Sequence, residues 1–479
     1  MPRIAYLTYS TGEYDGRTQR MARTARAAGY DVIVYARWQQ GLALEEQGPG
    51  YQIVRIPAVP DLAIPWRRAR GRRRLAEIMH GASTTPAETS SPAVRPQQAV
   101  ATTGRAPLPI RVVRGIARRA RRLASRVARR LPSLPFLRPI MLFPLRPLGW
   151  AIPLSEYAEP ADLWHGMWAA SLPALDRLRG AHGGRTIYDS RDVYMRSRGF
   201  ERMGPLKAPF AWLERRWARR VDAVLTVNDA YAGLLADQFG IAPPPVVRNT
   251  PDRYTPPEPP PDRIRRRLGL SPETRVVLYQ GGLLTDRGIE QGMEAMLEVP
   301  DAVLAIMGFG PAQAEVEAMA ASARFRDRVR MLEPVAPDEL LDWTASADVM
   351  LMAIQPTSVN HRYTTPQKLW EAIAAGTPVV ATDLPGMAEI VRETGCGILV
   401  DATDPADIAR AIREIVDAPA EERRAMRERT WRAGQERYNW ERESEVLLAL
   451  YARLLGQAPP APVAGPAVAP PASESISPT

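Results

Sequence analysis

The stretch Arg275-Val276-Val277-Leu278-Tyr279-Gln280-Gly281-Gly282-Leu283-Leu284-Thr285-Asp286-Arg287-Gly288 decides the fold. Its apolar run has no polar alternation, so it reads as a strand buried on both faces. The glycines then turn the chain into a helix. The pattern returns at 302–307, followed by Gly308-Phe309-Gly310-Pro311 and another helical segment. Further strands are expected at 329–332, 349–353, 378–382 and 397–400, with helices between them. This alternation predicts a parallel sheet covered on both faces.

Working outward, the first half repeats the design. Strands are expected at 3–8, 31–36 and 52–56, then at 161–165, 185–189, 223–227 and 245–247. The predicted class is therefore α/β with two Rossmann-like domains, at 1–250 and 263–440. A proline-rich linker (251–262) joins them. A helix at 440–456 and an Ala/Pro/Ser-rich tail at 457–479, expected to be disordered, follow.

The first domain is interrupted at about 67–153. Residues 62–155 hold 19 arginines against two acids, although the whole chain carries a net charge of only +10. The basic character thus belongs to this insert and not to the rest. Within it, 81–107 has too few large apolar residues to fold and is expected to be disordered. In 110–131, Val113, Ile116, Ala120, Leu123, Val127 and Leu131 follow helical spacing among arginines. Such a basic amphipathic helix suits an anionic membrane surface, with packing on the protein as the next reading. Nucleic acid is not expected, because aromatic residues are not interleaved with the basic ones. Residues 131–153, broken by prolines, read as a surface or interfacial segment.

One cysteine, Cys396, excludes an intrachain disulfide framework and a cysteine-built zinc site. Met1-Pro2-Arg3 runs straight into a strand with no secretory pattern, and no apolar stretch approaches the roughly 20 residues of a membrane span. A cytoplasmic location is expected, including the inner face of the membrane.

In open α/β sheets ligands bind beyond the carboxyl ends of the strands. Three loops of the second domain lie there. In the first, Gly281, Gly282 and Gly288 bring backbone close to a ligand, and Arg287 can grip a diphosphate. In the second, Gly308 and Gly310 offer backbone to a base or ribose. In the third, Tyr363, Thr364 and Thr365 precede Pro366, which suits a first helical turn. Lys368 and Glu371, three apart on one helix face, can meet phosphate and ribose hydroxyls.

This order of motifs resembles the retaining GT-B glycosyltransferases of the glycogen-synthase-like group, glycosyltransferase family four. The resemblance is carried by Gly281…Arg287-Gly288, by Gly308-Phe309-Gly310-Pro311 and by Pro366-Gln367-Lys368-Leu369-Trp370-Glu371…Gly376-Thr377-Pro378-Val379-Val380. It implies two facing lobes with the active site in the cleft and the nucleotide-sugar donor on the second lobe. A glycan or lipid-linked acceptor would lie on the first. Arg287, Lys368 and Glu371 would be catalytic, with no cofactor and no metal. In the first lobe, Asp15, Arg17, His165, Asp189 and Arg191 are cleft or acceptor candidates, as is His361 in the second. His165 is expected at a strand end lining the cleft.

The sequence departs from that pattern at Gly282, where relatives often have arginine, and at Tyr363, where they have glutamate. Met167 and Arg191 stand where histidines are common. Another sugar geometry or reduced activity would follow; retention of Arg287, Lys368 and Glu371 favours the former. A GT-B-fold nucleotide-sugar epimerase and a non-catalytic nucleotide-sugar-binding or membrane scaffold are the competing readings.

Overall fold

A computed structural model describes residues 1–13, 15–58, 141–257 and 259–458. The expected disordered stretch at 81–107, the basic helix at 110–131 and most of the tail lie outside them.

The first lobe is built on a seven-stranded sheet in the order β3-β4-β2-β1-β5-β6-β7. The strands are β1 (Arg3–Thr8), β2 (Asp31–Arg37), β3 (Glu45–Gly48), β4 (Tyr51–Ile56), β5 (Leu163–Met167), β6 (Arg185–Ser190) and β7 (Ala223–Thr226). All neighbours are parallel except β3, which returns antiparallel on β4. Residues 245–247 do not form the expected strand; Val246 makes a single bridge to Thr226.

The second lobe carries a six-stranded, wholly parallel sheet in the order β10-β9-β8-β11-β12-β13. Its strands are β8 (Arg275–Gln280), β9 (Ala302–Met307), β10 (Val329–Leu332), β11 (Val349–Met352), β12 (Val379–Thr382) and β13 (Gly397–Val400). The β9 run is buried at every position, as its unbroken apolar sequence requires.

Five helices bear on the site and its surroundings: α1 (Gly16–Ala27), α2 (Arg146–Tyr157), α3 (Ala208–Ala218), α4 (Gln367–Ala375) and α5 (Trp440–Leu455). The segment leading into α2, and α2 itself, correct an expectation. Residues 143–154 are not a surface segment: Phe143, Trp150, Ala151 and Leu154 are wholly buried in the first lobe's core. Pro147 falls in the first turn of α2, where the missing N–H costs nothing. Truncating Trp150 would cost about 4 kcal/mol.

α5 belongs in space to the first lobe, although the second precedes it in sequence. Its Leu447, Leu448, Leu450 and Tyr451 pack with Ile4, Tyr6, Met21 and Ala22. The Trp440 indole donates to Thr24 Oγ1 at 2.7 Å, and its backbone N–H to the Pro251 carbonyl at 2.8 Å. The chain therefore crosses between lobes twice, side by side.

Candidate active site

The loop after β8 and the loop after β9 lie back to back. Gly281 N–H donates to Met307 O, Leu283 N–H to Phe309 O, and Ala312 N–H to Leu283 O, all within 3.0 Å. A Cβ on Gly308 would sit 1.9 Å from the Gly281 carbonyl oxygen, and one on Gly310 would sit 2.4 Å from that of Leu283. Glycine at both positions is thus required by contact between the loops, before any ligand is considered. Gly288, at φ +70°, approaches the Ala353 carbonyl equally closely. Gly282 is different: it is exposed, and a side chain there would meet only Leu284.

Helix α4 starts at Gln367 with Pro366 as its N-terminal cap residue, which turns Lys368 and Glu371 towards these loops. Lys368 Nζ is sealed from solvent with no hydrogen-bond partner among the described residues. It stands 3.6 Å from the Tyr279 ring centroid, and a Cβ added at Gly281 would lie 4.0 Å from it. Burial, reinforced by the Arg287 charge, pushes its pKa down to about 7. Glu371 is also buried, and one carboxylate oxygen accepts from Gln280 Nε2 at 2.5 Å. Gln280 is itself held, its Oε1 accepting from Thr344 Oγ1 at 2.8 Å. Burial raises the Glu371 carboxyl, while Gln280 and then the Arg20 charge lower it. Arg287, half-buried, has no ion-pair partner among the described residues, yet its charge is felt by Lys368, His361 and Asp192. Two basic side chains with no direct ion pair among the described residues, beside a carboxylate held by Gln280, form a site suited to an anion.

The third loop turns out to be a seam between lobes. Asn228 Nδ2 of the first lobe donates to the Tyr363 carbonyl at 3.0 Å and to Thr365 Oγ1 at 3.2 Å. Tyr231 donates to the Asn360 carbonyl at 2.8 Å. The Asn360 side chain donates to Asp192 and accepts from the Val193 N–H. The half-buried Tyr363 packs on the first lobe's core rather than standing over the donor loops. Thr364 N–H turns back to the His361 carbonyl. His361 Nδ1 lies 3.0 Å from Thr357 Oγ1 and 3.2 Å from the Gln355 carbonyl, and burial lowers its pKa. Asp286, at the unusual φ of +67°, pairs with Arg198 across the cleft.

In the first lobe the candidates form a network of their own. Asp15 caps α1, accepting from Thr18 N–H and from the Thr8 and Thr18 hydroxyls. Burial opposes its charge, but Arg191 at 2.8 Å outweighs that and holds the carboxyl at about 2. Arg17 and Asp189 form a buried ion pair at 2.8 Å. Arg17 and Asp189 are both buried, and Arg17 Nη1 has no hydrogen-bond partner among the described residues. The expectation that His165 lines the cleft at a strand end is corrected. The histidine lies inside β5, fully buried, with Nδ1 2.7 Å from the Tyr451 hydroxyl and its ring stacked on Tyr6. Burial drives its pKa to about 3, so it stays neutral. Sequence reasoning missed Arg20, which sits on α1 one turn beyond Arg17. It donates to Asn249 Oδ1 and the Thr250 carbonyl, and its charge reaches Glu371. It also missed Asp192, next to Arg191.

Two Rossmann-like lobes meeting across a cleft, with the anion-ready face on the second, define the GT-B class. A sucrose-phosphate synthase from Thermosynechococcus elongatus shares the fold over 95% of this chain and all of its own, with a TM-score of 0.64 at 18% identity. The Anabaena protein Alr3699/HepE, solved in complex with UDP and glucose, superposes over 95% of this chain and all of its own (TM-score 0.57, 15% identity). Residues 261–432 match the family described as Glycosyl transferases group 1. The chain is 30% identical to the D-inositol 3-phosphate glycosyltransferase of Xylanimonas cellulosilytica over 47% of its own length and 53% of the relative's. It is 29% identical to the 2-deoxystreptamine glucosyltransferase of Streptomyces kanamyceticus, over 62% and 79% respectively. The chain spans about half the length of most of these curated relatives.

Proposed function

We infer that the protein transfers a sugar from a nucleotide-sugar donor to a glycan or lipid-linked acceptor, with retention of anomeric configuration. The observation that carries this reading is Lys368: a buried ammonium without an acceptor, beside Arg287 and Glu371, at the carboxyl ends of β8 and β9. Retaining such a group costs stability, which a bound anion offsets. The donor diphosphate would lie against Arg287 and Lys368, and Glu371, fixed by Gln280, would accept the ribose hydroxyls. The acceptor oxygen then bonds to the anomeric carbon as the bond to the diphosphate oxygen breaks on the same face. The acceptor proton passes to that departing oxygen, and the two cations meet the charge that develops. In this reading side chains, rather than a resident metal or cofactor, carry that charge.

The names of the relatives support a polyhydroxylated ring as acceptor. We place the protein in the cytoplasm, at the inner face of the membrane, with 110–131 as one lipid contact. No helix among the described residues is long and apolar enough to cross a membrane. Deleting 67–138, which spares the buried 143–154, should reduce vesicle flotation; equal flotation would remove that contact. The transfer itself is tested with UDP-, GDP- and dTDP-sugars, following donor turnover and the anomeric proton of the product. Glu371→Ala should lower donor affinity at least about a hundredfold, as loss of a buried charged hydrogen-bond acceptor implies. Unchanged affinity refutes the site.

A further inference from the structure

The turn at 204–207 and helix α3 present a surface that the site does not use. Leu206 is 71% exposed and Trp212 62%, the two most exposed large apolar side chains after Met1 among the described residues. Pro205 before Leu206, and Ala208 and Pro209 between the two, are exposed too. Around this apolar tip stand Arg202, Arg215, Arg216 and Arg219, all exposed and none in an ion pair among the described residues. The Arg216 guanidinium lies 5.7 Å from the Trp212 ring centroid. From Arg202 to Val221 the sequence has one acid, Glu214, and it is wholly buried. Its carboxyl bonds to Gln238 and Tyr188 inside the lobe, so it offers the surface no negative charge.

We propose that this face docks on an anionic lipid surface, with Leu206 and Trp212 entering the headgroup layer and the arginines meeting phosphates. An apolar tip collared by unpaired cations suits that boundary. An indole is at home where one side is apolar and the other wet. A polyanion such as nucleic acid would use the arginines but leave Leu206, Pro205 and Pro209 unexplained. Two further observations fix the orientation. The described chain resumes at residue 141, and Phe143 packs edge-on against Trp217 on the buried side of α3, behind the exposed face. Arg202 also lines a cavity of about 740 Å³ with Arg198 and residues 284–291 of the donor loop. Docking therefore brings the cleft mouth to the membrane. Docking stands without the transferase reading; delivery of a lipid-linked acceptor to the cleft rests on it.

The full chain is mixed with vesicles of phosphatidylcholine alone or with a third phosphatidylglycerol, at low and high salt. It should float with the anionic vesicles only, and less at high salt. The double variant Leu206→Glu, Trp212→Glu should partition at least tenfold less, and each arginine changed to Gln should cost about fivefold. Brominated lipid should quench a component of the tryptophan emission that Trp212→Phe lacks. Turnover of a water-soluble acceptor should be unchanged in the Leu206, Trp212, Arg215, Arg216 and Arg219 variants, which lie outside the cavity that Arg202 lines. Identical quenching in wild type and Trp212→Phe overturns the proposal. So does tighter binding to duplex DNA that ignores Leu206 and Trp212. A chain that floats as expected yet turns over no donor keeps the docking surface and refutes the transferase reading instead.

Discussion

Raising the pH through neutrality should weaken donor binding, and Lys368 sets the size of the effect. Burial and Arg287 bring its pKa to about 7, with Glu371 pulling the other way. The ammonium that meets a diphosphate is thus present below that value and lost above it. If only the charged form binds, apparent affinity falls by the factor 1 + 10^(pH − 7). From about pH 6 to pH 8 this is roughly tenfold, or about 1.4 kcal/mol. An intact nucleotide-sugar is the right probe, because its diphosphate diester keeps one charge state across the range. Isothermal titration at several pH values should show the fall in wild type. Lys368→Arg, permanently charged, should abolish the slope. Lys368→Met should bind weakly at every pH but gain folding stability below pH 7. The pKa displacement from 10.5 to about 7 makes the buried cation cost roughly 5 kcal/mol there. Affinity rising with pH, or a slope that persists in Lys368→Arg, would refute the reasoning.

Gly308→Ala, whose Cβ would lie 1.9 Å from the Gly281 carbonyl, should destabilise the second lobe by about 3 kcal/mol in urea denaturation, whereas Gly282→Ala should stay within about 0.5 kcal/mol. Equal effects would remove the loop-to-loop explanation. Glu214 is raised by burial from 4.5 to about 8, so the folded state keeps a proton that the unfolded state releases, and stability falls as pH rises through that window by up to about 1.4 kcal/mol per unit. Glu214→Gln should flatten this part of the stability profile; an unchanged slope contradicts it. Asn360→Ala removes two hydrogen bonds between the lobes, about 2 kcal/mol in favour of the closed form. Small-angle scattering should show a larger radius of gyration, and no change would mean that Asn360 does not hold the cleft shut.

What the sequence made legible depended on whether the signal was local. β9 is an unbroken apolar run and β8 has an apolar centre between Arg275 and Gln280, so local sequence alone predicts both. β3, spelled Glu45-Glu46-Gln47-Gly48, has no apolar residue and exists only because β4 offers it an edge. The prolines at 144, 147 and 153 disguised a buried segment as a surface one. Lys368 and Glu371 were visible because Pro366 and a three-residue spacing fix them on one face. The pairing of Arg17 with Asp189 joins residues 172 apart, so nothing near Arg17 announces that it is buried. The demand for glycine at 308 likewise comes from a carbonyl in another loop. Distant partners, not local propensity, decided which candidates face the cleft.

The placement of α5 also sets the order in which the molecule can be finished. Tyr6 and Tyr451, whose hydroxyls meet at 2.9 Å, are separated by 445 residues. At about 5–20 residues per second, a ribosome needs roughly 20 to 90 s to deliver the second after the first. For that time the nascent lobe leaves Met21, Ala22 and Ala25 uncovered, while the second lobe assembles behind it. The part made first matures last. A stop codon shortly before Trp440 would therefore harm the amino-terminal half, not the half it truncates.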